Sequence, residues 1–191
     1  MSGKNDWEQI CDKVQHRLGE ATPIPITVKG AKVLRAEILK CLTKAHDEGV
    51  LSTKLHEVHK LLKVTDPKKN IVAILGGGLE GKRNFNRSRD IPHFERVDGC
   101  WFDFTILIDE TPKPAEIIGF DFEIRFPDES PVRFLRFDLN LPGHDNEERS
   151  IRFHLHPGSD DFMIHSPPMS PLEILHLFLY GLPIPKKSRS S

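Results

Sequence analysis

The sequence has few cysteines, a single tyrosine and no long apolar segment. Its three cysteines, Cys11, Cys41 and Cys100, are odd in number and far apart, which argues against a disulfide framework or a zinc ribbon. No apolar run approaches the roughly 20 residues of a transmembrane helix, and residues 1–13 lack the hydrophobic core of a signal peptide. We therefore expect a cytoplasmic protein with reduced thiols and no membrane partner.

The composition is that of an ordinary globular protein, but its charge is unevenly spread. Hydrophobic residues make up 38% of the chain and charged residues 29%, as in a soluble domain. Lys and Arg outnumber Asp and Glu by 18 to 13 in residues 1–100, whereas acidic residues lead by 15 to 9 in the rest. A basic front and an acidic back are compatible with nucleic-acid docking, with self-association, or simply with two soluble surfaces.

The first third of the chain has a helical pattern. Apolar side chains recur at helical spacing in residues 5–18, 30–47 and 52–62. The second and third of these segments form a hairpin with a short connection, an arrangement that far more often packs helices than reads DNA. The pattern predicts a helical part over residues 1–65.

Residues 66–98 have the composition of a glycine-rich and basic connection. The run GGGLEGK, residues 76–82, is not a phosphate-binding P-loop, because an arginine follows the lysine where a P-loop has Ser or Thr. The apolar run before it, residues 71–75, fits either a helix or a strand. The basic run KRNFNRSR, residues 82–89, can hold a phosphate backbone and stack a base, with a solvated loop as the alternative. The candidate nucleic-acid contacts are Lys82, Arg83, Phe85, Arg87 and Arg89.

From residue 99 the pattern becomes that of β-strands. Apolar and polar side chains alternate in four short segments, as in strands with one buried face. Turns containing proline, glycine and aspartate separate the segments, which is typical of an antiparallel meander. The predicted strands are residues 101–108, 117–126, 132–141 and 151–156.

A C-terminal helix completes the predicted fold. Ser170 is a suitable N-cap, Pro171 suits the first helical position and Glu173 completes a capping box. The fold class is therefore α+β: a helical N-terminal part is followed by an antiparallel β-meander, and the C-terminal helix packs on the sheet. We assign the sheet and this helix to residues 99–182 and expect residues 183–191 to be a disordered tail.

Four of the ten histidines lie among arginines and aspartates in residues 136–165. Period-two alternation places Arg152, His154 and His156 on one face of a strand. Cleavage of RNA without a metal needs a base for the 2′-hydroxyl, an acid for the leaving oxygen and a cation for the phosphate. Histidine suits both proton roles and arginine suits the phosphate. The candidate catalytic residues are His144, Arg152, His154 and His156.

Two other interpretations of the same residues stay open. His154 and His156 can bind a metal ion, with His144, His165 or an aspartate as a further ligand. A His-x-His pair alone is a weak signal, so we assign no metal and no cofactor from the sequence. The histidines and arginines can equally form a polar sheet face with salt bridges to Asp160 and Asp161.

The order of motifs in this region resembles that of a known family. Along the chain come Arg-Phe-Asp (residues 136–138), a Gly-His loop (143–144), His-x-His (154–156), Phe-Met-Ile-His-Ser (162–166) and an amphipathic helix from Ser170. This order resembles the small bacterial TumE-type toxins of toxin–antitoxin systems over roughly the last 70 to 80 residues. The family's Lys-Gly-Asp-His style loop is absent, and residues 145–150 have the form of an insertion. The resemblance implies a ribonuclease-like toxin, or an inactive descendant within a larger defence complex.

The prediction is a bacterial conflict or antiviral-defence protein that acts on or binds RNA. It is either a metal-independent ribonuclease or, as the alternative, a non-catalytic protein- or nucleic-acid-binding subunit. The expected partners are RNA or a protein, such as an antitoxin or a larger complex, and we expect no small-molecule ligand. An enzyme requires His154 and His156 in an open cleft beside a cation, whereas a scaffold ties them to carboxylates and fills the space around them.

Overall fold

One antiparallel sheet of nine strands organises the part of the chain that the structure describes. This computed structural model describes residues 25–65, 70–78, 87–144, 152–182 and 184. The predicted helix over residues 5–18, most of the predicted tail and the predicted insertion at 145–150 lie outside these ranges. Helices pack on the sheet, which confirms the α+β class.

Nine strands and three helices follow one another along the described part of the chain. The strands are β1 (Ile26–Val28), β2 (Leu62–Val64), β3 (Ile71–Gly76), β4 (Phe94–Glu95), β5 (Trp101–Asp109), β6 (Ala115–Arg125), β7 (Phe134–Leu139), β8 (Phe153–Pro157) and β9 (Ile164–His165). The helices are α1 (Ala31–Asp47), α2 (Leu55–Leu61) and α3 (Pro171–His176), and a π-helical turn, Leu177–Gly181, continues α3. The sheet order is β2-β3-β5-β6-β7-β8-β9, while β1 also pairs with β6 and β4 also pairs with β5.

The central strands form where the sequence alternates, and their apolar positions make the core. Phe102, Phe104 and Ile106 on β5 and their cross-strand neighbours on β6 are all buried. The C-terminal helical segment covers this face through Phe178, which is fully buried. Its ring centroid lies 5.9 Å from that of Phe102, 6.3 Å from that of Phe122 and 6.0 Å from that of Phe137. The predicted packing of the C-terminal helix on the sheet is confirmed.

The start of α3 has the predicted cap. The Glu173 backbone N–H donates to Ser170 Oγ at 3.3 Å, and the Ser170 backbone N–H donates to Glu173 Oε2 at 2.7 Å. Pro171 is the first helical residue, where its missing N–H leaves no intrahelical bond unmade. At the other end, the buried Arg96 donates to the Phe178 carbonyl and, at 3.0 Å, to the Leu182 carbonyl. These contacts fix both ends of the C-terminal helical segment.

The sheet extends beyond the segment predicted for it. Residues 1–65 contribute β1 and β2 as well as α1 and α2, and residues 66–98 contribute β3 and β4. The buried face of α1, which includes Leu34, Ile38 and Leu42, belongs to the same hydrophobic core as the sheet. The predicted division at residue 98 therefore marks no structural boundary, because helices and strands from both sides share one core.

The glycine-rich run begins inside a strand. Gly76 is the last residue of β3, and a Cβ atom there would lie 2.2 Å from the Phe104 ring. That ring stacks on Phe122 with centroids 4.7 Å apart. Packing of an aromatic ring against bare backbone therefore explains the first glycine of the run. Gly77 and Gly78 follow with positive φ angles of 100° and 88° and turn the chain away from the sheet.

Candidate functional site

The second face of the sheet carries charged side chains that are mostly buried. These residues alternate with the core residues along each strand, so they share the face opposite α1 and α3. They are Asp103 and Thr105 on β5, Asp121 and Glu123 on β6, Arg136 and Asp138 on β7, and His154 and His156 on β8. We call this surface the polar face.

Strand register aligns these residues in two rows that run across the sheet. One row joins Asp103, Glu123, Arg136 and His156, and the next joins Thr105, Asp121, Asp138, His154 and His165. Directly opposed residues of antiparallel strands have Cβ atoms about 5 Å apart. Arg136 therefore lies within reach of an ion pair with Glu123, whereas the opposed acidic pairs Asp103–Glu123 and Asp121–Asp138 need a cation from elsewhere.

Arg87 enters the polar face from a loop and neutralises its acidic half. Its guanidinium contacts Asp103, lies 3.0 Å from Asp121 Oδ1, and has Nε 3.3 Å from Glu123 Oε2. Burial alone lowers the pKa of Arg87, but these three carboxylates raise it above its ordinary value. With its side chain only 8% exposed, Arg87 is an internal ion-pair residue. This engagement argues against the predicted nucleic-acid contact at Arg87, and sequence alone gave no sign of the acidic residues that bind it.

Arg136 is the second cation of the polar face. Its Nε donates to Asp138 Oδ2 at 2.9 Å, and its Nη1 contacts Asp160 and lies 3.5 Å from Glu123 Oε2. Asp160 thus pairs with an arginine of the neighbouring strand, not with the histidines.

His154 and His156 are buried beside Asp138. Their exposed fractions are 2% and 4%, and their Nε2 atoms lie 3.7 Å and 3.4 Å from Asp138 Oδ2. Burial raises the pKa of the Asp138 carboxyl, but the hydrogen bond from His156 and the charge of Arg136 more than offset burial, so the pKa lies below its ordinary value. Two imidazoles and a carboxylate are therefore held together below the surface. Of the two arrangements considered from the sequence, the one found is burial beside a carboxylate, and that carboxylate is Asp138 in place of Asp160 or Asp161.

His165 occupies the next position in the same row. It pairs directly with His154 across β8 and β9, and its Nε2 atom is buried with no hydrogen-bond partner in the described part of the chain. Burial lowers the pKa of this imidazole.

Arg152 does not join the histidine cluster. Its Nε donates to the Asn140 carbonyl and its Nη2 to the Ile118 carbonyl, each at 2.7 Å. A guanidinium that binds two backbone carbonyls ties β6, β7 and β8 together at the end of the sheet. The predicted catalytic role of Arg152 in binding phosphate is therefore not supported by its position.

His144 lies at an opening on the polar face. It is exposed, and it lines a cavity of about 360 Å³ together with Asp121, Arg136, Asp138 and Asn140. Of the four predicted catalytic residues, His144 is thus the one at an open cavity, and Asp138 connects that cavity to His154 and His156.

A second cavity lies at the other end of the polar face, and arginines dominate its walls. Its volume is about 530 Å³, and it lies where β5 begins, β6 ends and β7 begins. We call it the arginine pocket. Its charged and aromatic lining comprises Arg87, Arg89, Trp101, Arg125, Phe126, Asp128 and Arg133.

Arg125 is stacked in place within the arginine pocket. Its guanidinium carbon lies 5.7 Å from the Trp101 ring centroid and 5.3 Å from that of Phe134, and its Nε donates to Glu123 at 2.7 Å. Arg133 is exposed, and its side chain forms no ion pair or hydrogen bond with the described residues. The pocket therefore combines the stacked guanidinium of Arg125 with that of Arg133, which has no ion-pair partner in the part of the chain that the structure describes.

The predicted basic segment contributes only in part. Arg89 lines the arginine pocket, is 57% exposed and pairs with Glu95. Lys82, Arg83 and Phe85 lie outside the described residues. Sequence reasoning missed Trp101, Arg125 and Arg133, although an arginine at the end of one predicted strand and another beside the start of the next was a usable signal.

No protein-family model matches the chain, and neither does any curated protein or solved structure. None of the helices in the described ranges is long and apolar enough to cross a membrane.

Proposed function

We propose that this protein binds single-stranded RNA on the polar face of its sheet, with a phosphate of the strand in the arginine pocket. The observation that carries the proposal is Arg133, whose guanidinium has no partner among the described residues and lines the same pocket as the stacked guanidinium of Arg125. Planar guanidinium groups bind phosphate oxygens in pairs and also stack on bases.

The geometry of the arginine pocket favours a polyanion over a neutral ligand. Trp101 is only 6% exposed, so it forms the floor, and Arg125 presents the plane on which a base can stack. Glu123 pairs with Arg125, while Asp103 and Asp121 neutralise Arg87, so the positive charge that the pocket presents to a ligand is mainly that of Arg133. A phosphate between Arg125 and Arg133 would pair with the Arg133 guanidinium, for which the described residues provide no carboxylate partner.

The recessed shape of the polar face favours a single strand over a duplex. The arginine pocket and the 360 Å³ cavity lie at the two ends of the face. On β6, Arg125 lines the arginine pocket and Asp121 lines the 360 Å³ cavity. Four residues of strand separate these side chains, a distance of about 13 Å at a rise of about 3.3 Å per residue. A flexible strand can enter both recesses, whereas a duplex keeps its phosphates on the outside of a wide cylinder.

The choice of RNA and the biological setting rest on the resemblance to TumE-type toxins. That resemblance supports a role in a bacterial conflict or defence system. Burial of His154 and His156 and the engagement of Arg152 with backbone carbonyls favour the binding function over cleavage by the four predicted residues.

The test is fluorescence anisotropy with a labelled single-stranded RNA of mixed sequence, measured over a range of salt concentrations. Arg133→Gln removes the guanidinium proposed to bind the phosphate and should weaken binding. It should also reduce the slope of log affinity against log salt by about 0.7, the value for one phosphate contact to a single strand.

The matched control is Lys40→Gln. Lys40 is an exposed cation on α1, on the opposite side of the sheet, so its loss changes the net charge by the same amount. Equal affinities and equal salt slopes for the two variants would show that the arginine pocket does not bind the strand. A wild-type protein with no measurable affinity would refute RNA binding altogether.

Cleavage of the bound strand is a second candidate function, favoured by one observation. His144 and Asp138 line the same cavity, so an exposed imidazole and a hydrogen-bonded carboxylate face a common space. Two such groups can act as acid and base in phosphodiester transfer.

The cleavage experiment uses a labelled RNA pool with and without EDTA. Cleavage that resists EDTA and falls by about 100-fold or more in His144→Gln would support the metal-independent reaction. His56→Gln, which alters an exposed histidine on α2, is the control. If no product forms in any condition, the protein acts by binding alone.

A further inference from the structure

We propose that Asp138, His154 and His156 form a binding site for a divalent transition-metal ion of the zinc type. One potential ligand atom from each of the three residues lies within 4.8 Å of the others. The two Nε2 atoms are 3.4 Å and 3.7 Å from Asp138 Oδ2. Ligand atoms of a tetrahedral zinc site, at bond lengths of about 2.0 to 2.1 Å, are about 3.3 to 3.4 Å apart. Two of the three ligand separations are therefore close to the spacing that such an ion requires, and the third is at most 4.8 Å.

The sheet explains why these three side chains converge. His154 and His156 are two residues apart on β8 and so point to the same side. Asp138 lies directly opposite His154 on β7. Hydrogen-bonded strands hold these positions rigidly, and the burial of both imidazoles excludes competing water. A site of this kind can be pre-formed, so the ion does not have to order the chain on binding.

The chemistry of the ligands selects the class of ion. Two imidazole nitrogens and one carboxylate oxygen suit Zn²⁺, Co²⁺ or Fe²⁺, whereas Mg²⁺ and Ca²⁺ prefer oxygen ligands alone.

His165 supplies an independent observation that points to a ligand. It is the cross-strand neighbour of His154, and its buried Nε2 has no hydrogen-bond partner in the described part of the chain. An unpaired polar atom below the surface costs free energy. A change of side-chain rotamer towards the ion would satisfy this nitrogen and provide a fourth ligand. The alternative fourth ligand is a water molecule from the cavity that Asp138 lines.

Arg136 is a cation beside the proposed metal site and would repel the ion. Its other contacts show how its charge can be neutralised. It donates to the same Asp138 oxygen as the histidines, but it also contacts Asp160 and Glu123. These two carboxylates can retain its charge while Asp138 turns its oxygens to the metal. The local charge of the cluster therefore does not exclude a dication.

The inference goes beyond RNA binding, because the arginine pocket and the three ligands have no residue in common. Either function can fail while the other holds. A metal assay without RNA therefore tests this inference separately from the anisotropy experiment.

The experiment uses the full chain without an affinity tag, since tags of histidine bind the same metals. The protein is stripped with a chelator, dialysed against ZnCl₂ and passed through a desalting column, and zinc is measured by mass spectrometry. We expect about one ion per chain and, with Co²⁺ in place of Zn²⁺, the visible absorption bands of a tetrahedral site. In His154→Gln and in His156→Gln the dissociation constant for Zn²⁺ should rise by at least about 100-fold. Loss of a residue that only hydrogen-bonds to a ligand already lowers metal affinity by about 10- to 100-fold.

Two controls keep the result decisive. A His56→Gln/His59→Gln variant, altered on the exposed surface of α2, should retain the ion. If His154→Gln or His156→Gln does not fold, the metal affinity of Asp138→Asn and the Co²⁺ spectrum of the wild type test the site instead. The wild-type melting temperature should also rise with Zn²⁺ and fall again with EDTA. A stripped wild-type chain that takes up no metal, or ligand variants that bind as tightly as the wild type, would overturn the inference.

Discussion

Arg87 Nε lies 3.3 Å from Glu123 Oε2, and the two side chains are only 8% and 1% exposed. Two further carboxylates, those of Asp103 and Asp121, bind the same guanidinium. Buried charges like these are stable only when they pair with one another, because each one has lost its hydration by water.

Removal of Arg87 should therefore destabilise the fold strongly. Arg87→Ala leaves three buried carboxylates without their shared cation and should lower the free energy of unfolding by about 3 to 5 kcal/mol. The measurement is equilibrium unfolding in urea at neutral pH.

The control for this prediction is Arg89→Ala. Arg89 pairs with Glu95 at the surface, where a lost ion pair costs at most about 1 kcal/mol. If both variants unfold at the same urea concentration, the Arg87 network does not hold the polar face together.

Phe178 should be among the most sensitive core positions. It is fully buried and its ring meets those of Phe102, Phe122 and Phe137. Phe178→Ala should lower the free energy of unfolding by about 3 to 5 kcal/mol, because it leaves a large cavity between the π-helical turn and the sheet.

The comparison for Phe178 is Phe162→Ala, since Phe162 is 57% exposed and its loss should change stability by no more than about 0.5 kcal/mol. Thermal unfolding followed by circular dichroism gives both values. A small effect at Phe178 would mean that the C-terminal segment contributes little to the core.

Glu173 should make the stability of α3 depend on acid pH. The Ser170 backbone N–H and hydroxyl hold the pKa of the Glu173 carboxyl below its ordinary value. The folded state thus favours the ionised form, and its stabilisation is present above the ordinary glutamate pKa and is lost as the pH falls through the lower folded value. Glu173→Gln should be less stable than wild type by about 0.5 kcal/mol at neutral pH.

The difference between wild type and Glu173→Gln should narrow as the pH falls into the range where Glu173 is protonated. Unfolding curves at several pH values measure this difference in stability. Glu129→Gln, which alters an exposed glutamate, is the control. A difference that stays constant with pH would show that the charge of Glu173 has no part in the cap.

The two cysteines in the described ranges should resist alkylation in the native protein. Burial, together with the charge of Asp98, raises the pKa of the Cys100 thiol to about 12, and burial raises that of Cys41 to about 11. Since the thiolate is the nucleophile, iodoacetamide at pH 8 should leave both largely unmodified until urea is added. Peptide mass spectrometry gives the extent of reaction at each site, and rapid native labelling of Cys100 would contradict its burial.

Periodicity predicted the long elements of this fold and missed the short ones. β5, β6 and β8 alternate over five or more residues, and α3 has a complete capping box, so each leaves a clear local signal. β1, β2 and β4 have two or three residues each, too few to show a period. β3 is mostly apolar on both sides, and such a run does not distinguish a strand from a helix.

The sequence predicted only those features of the site that depend on one strand alone. Alternation correctly placed His154 and His156 on the same side of β8. Their burial and their pairing with Asp138 depend on the register between β7 and β8, which no local pattern encodes. The arginine pocket was missed for a similar reason, because Trp101, Arg125 and Arg133 come from three strand ends that meet only in the folded sheet.

The position of Phe178 on the sheet has a consequence for the protein as it is being made. The aromatic rings of Phe102 and Phe122 emerge from the ribosome more than 50 residues before the ring that covers them. At about 5 to 20 residues per second, this interval is roughly 3 to 11 seconds. During that time the nascent chain presents an uncovered aromatic surface, which is the kind of segment that chaperones bind.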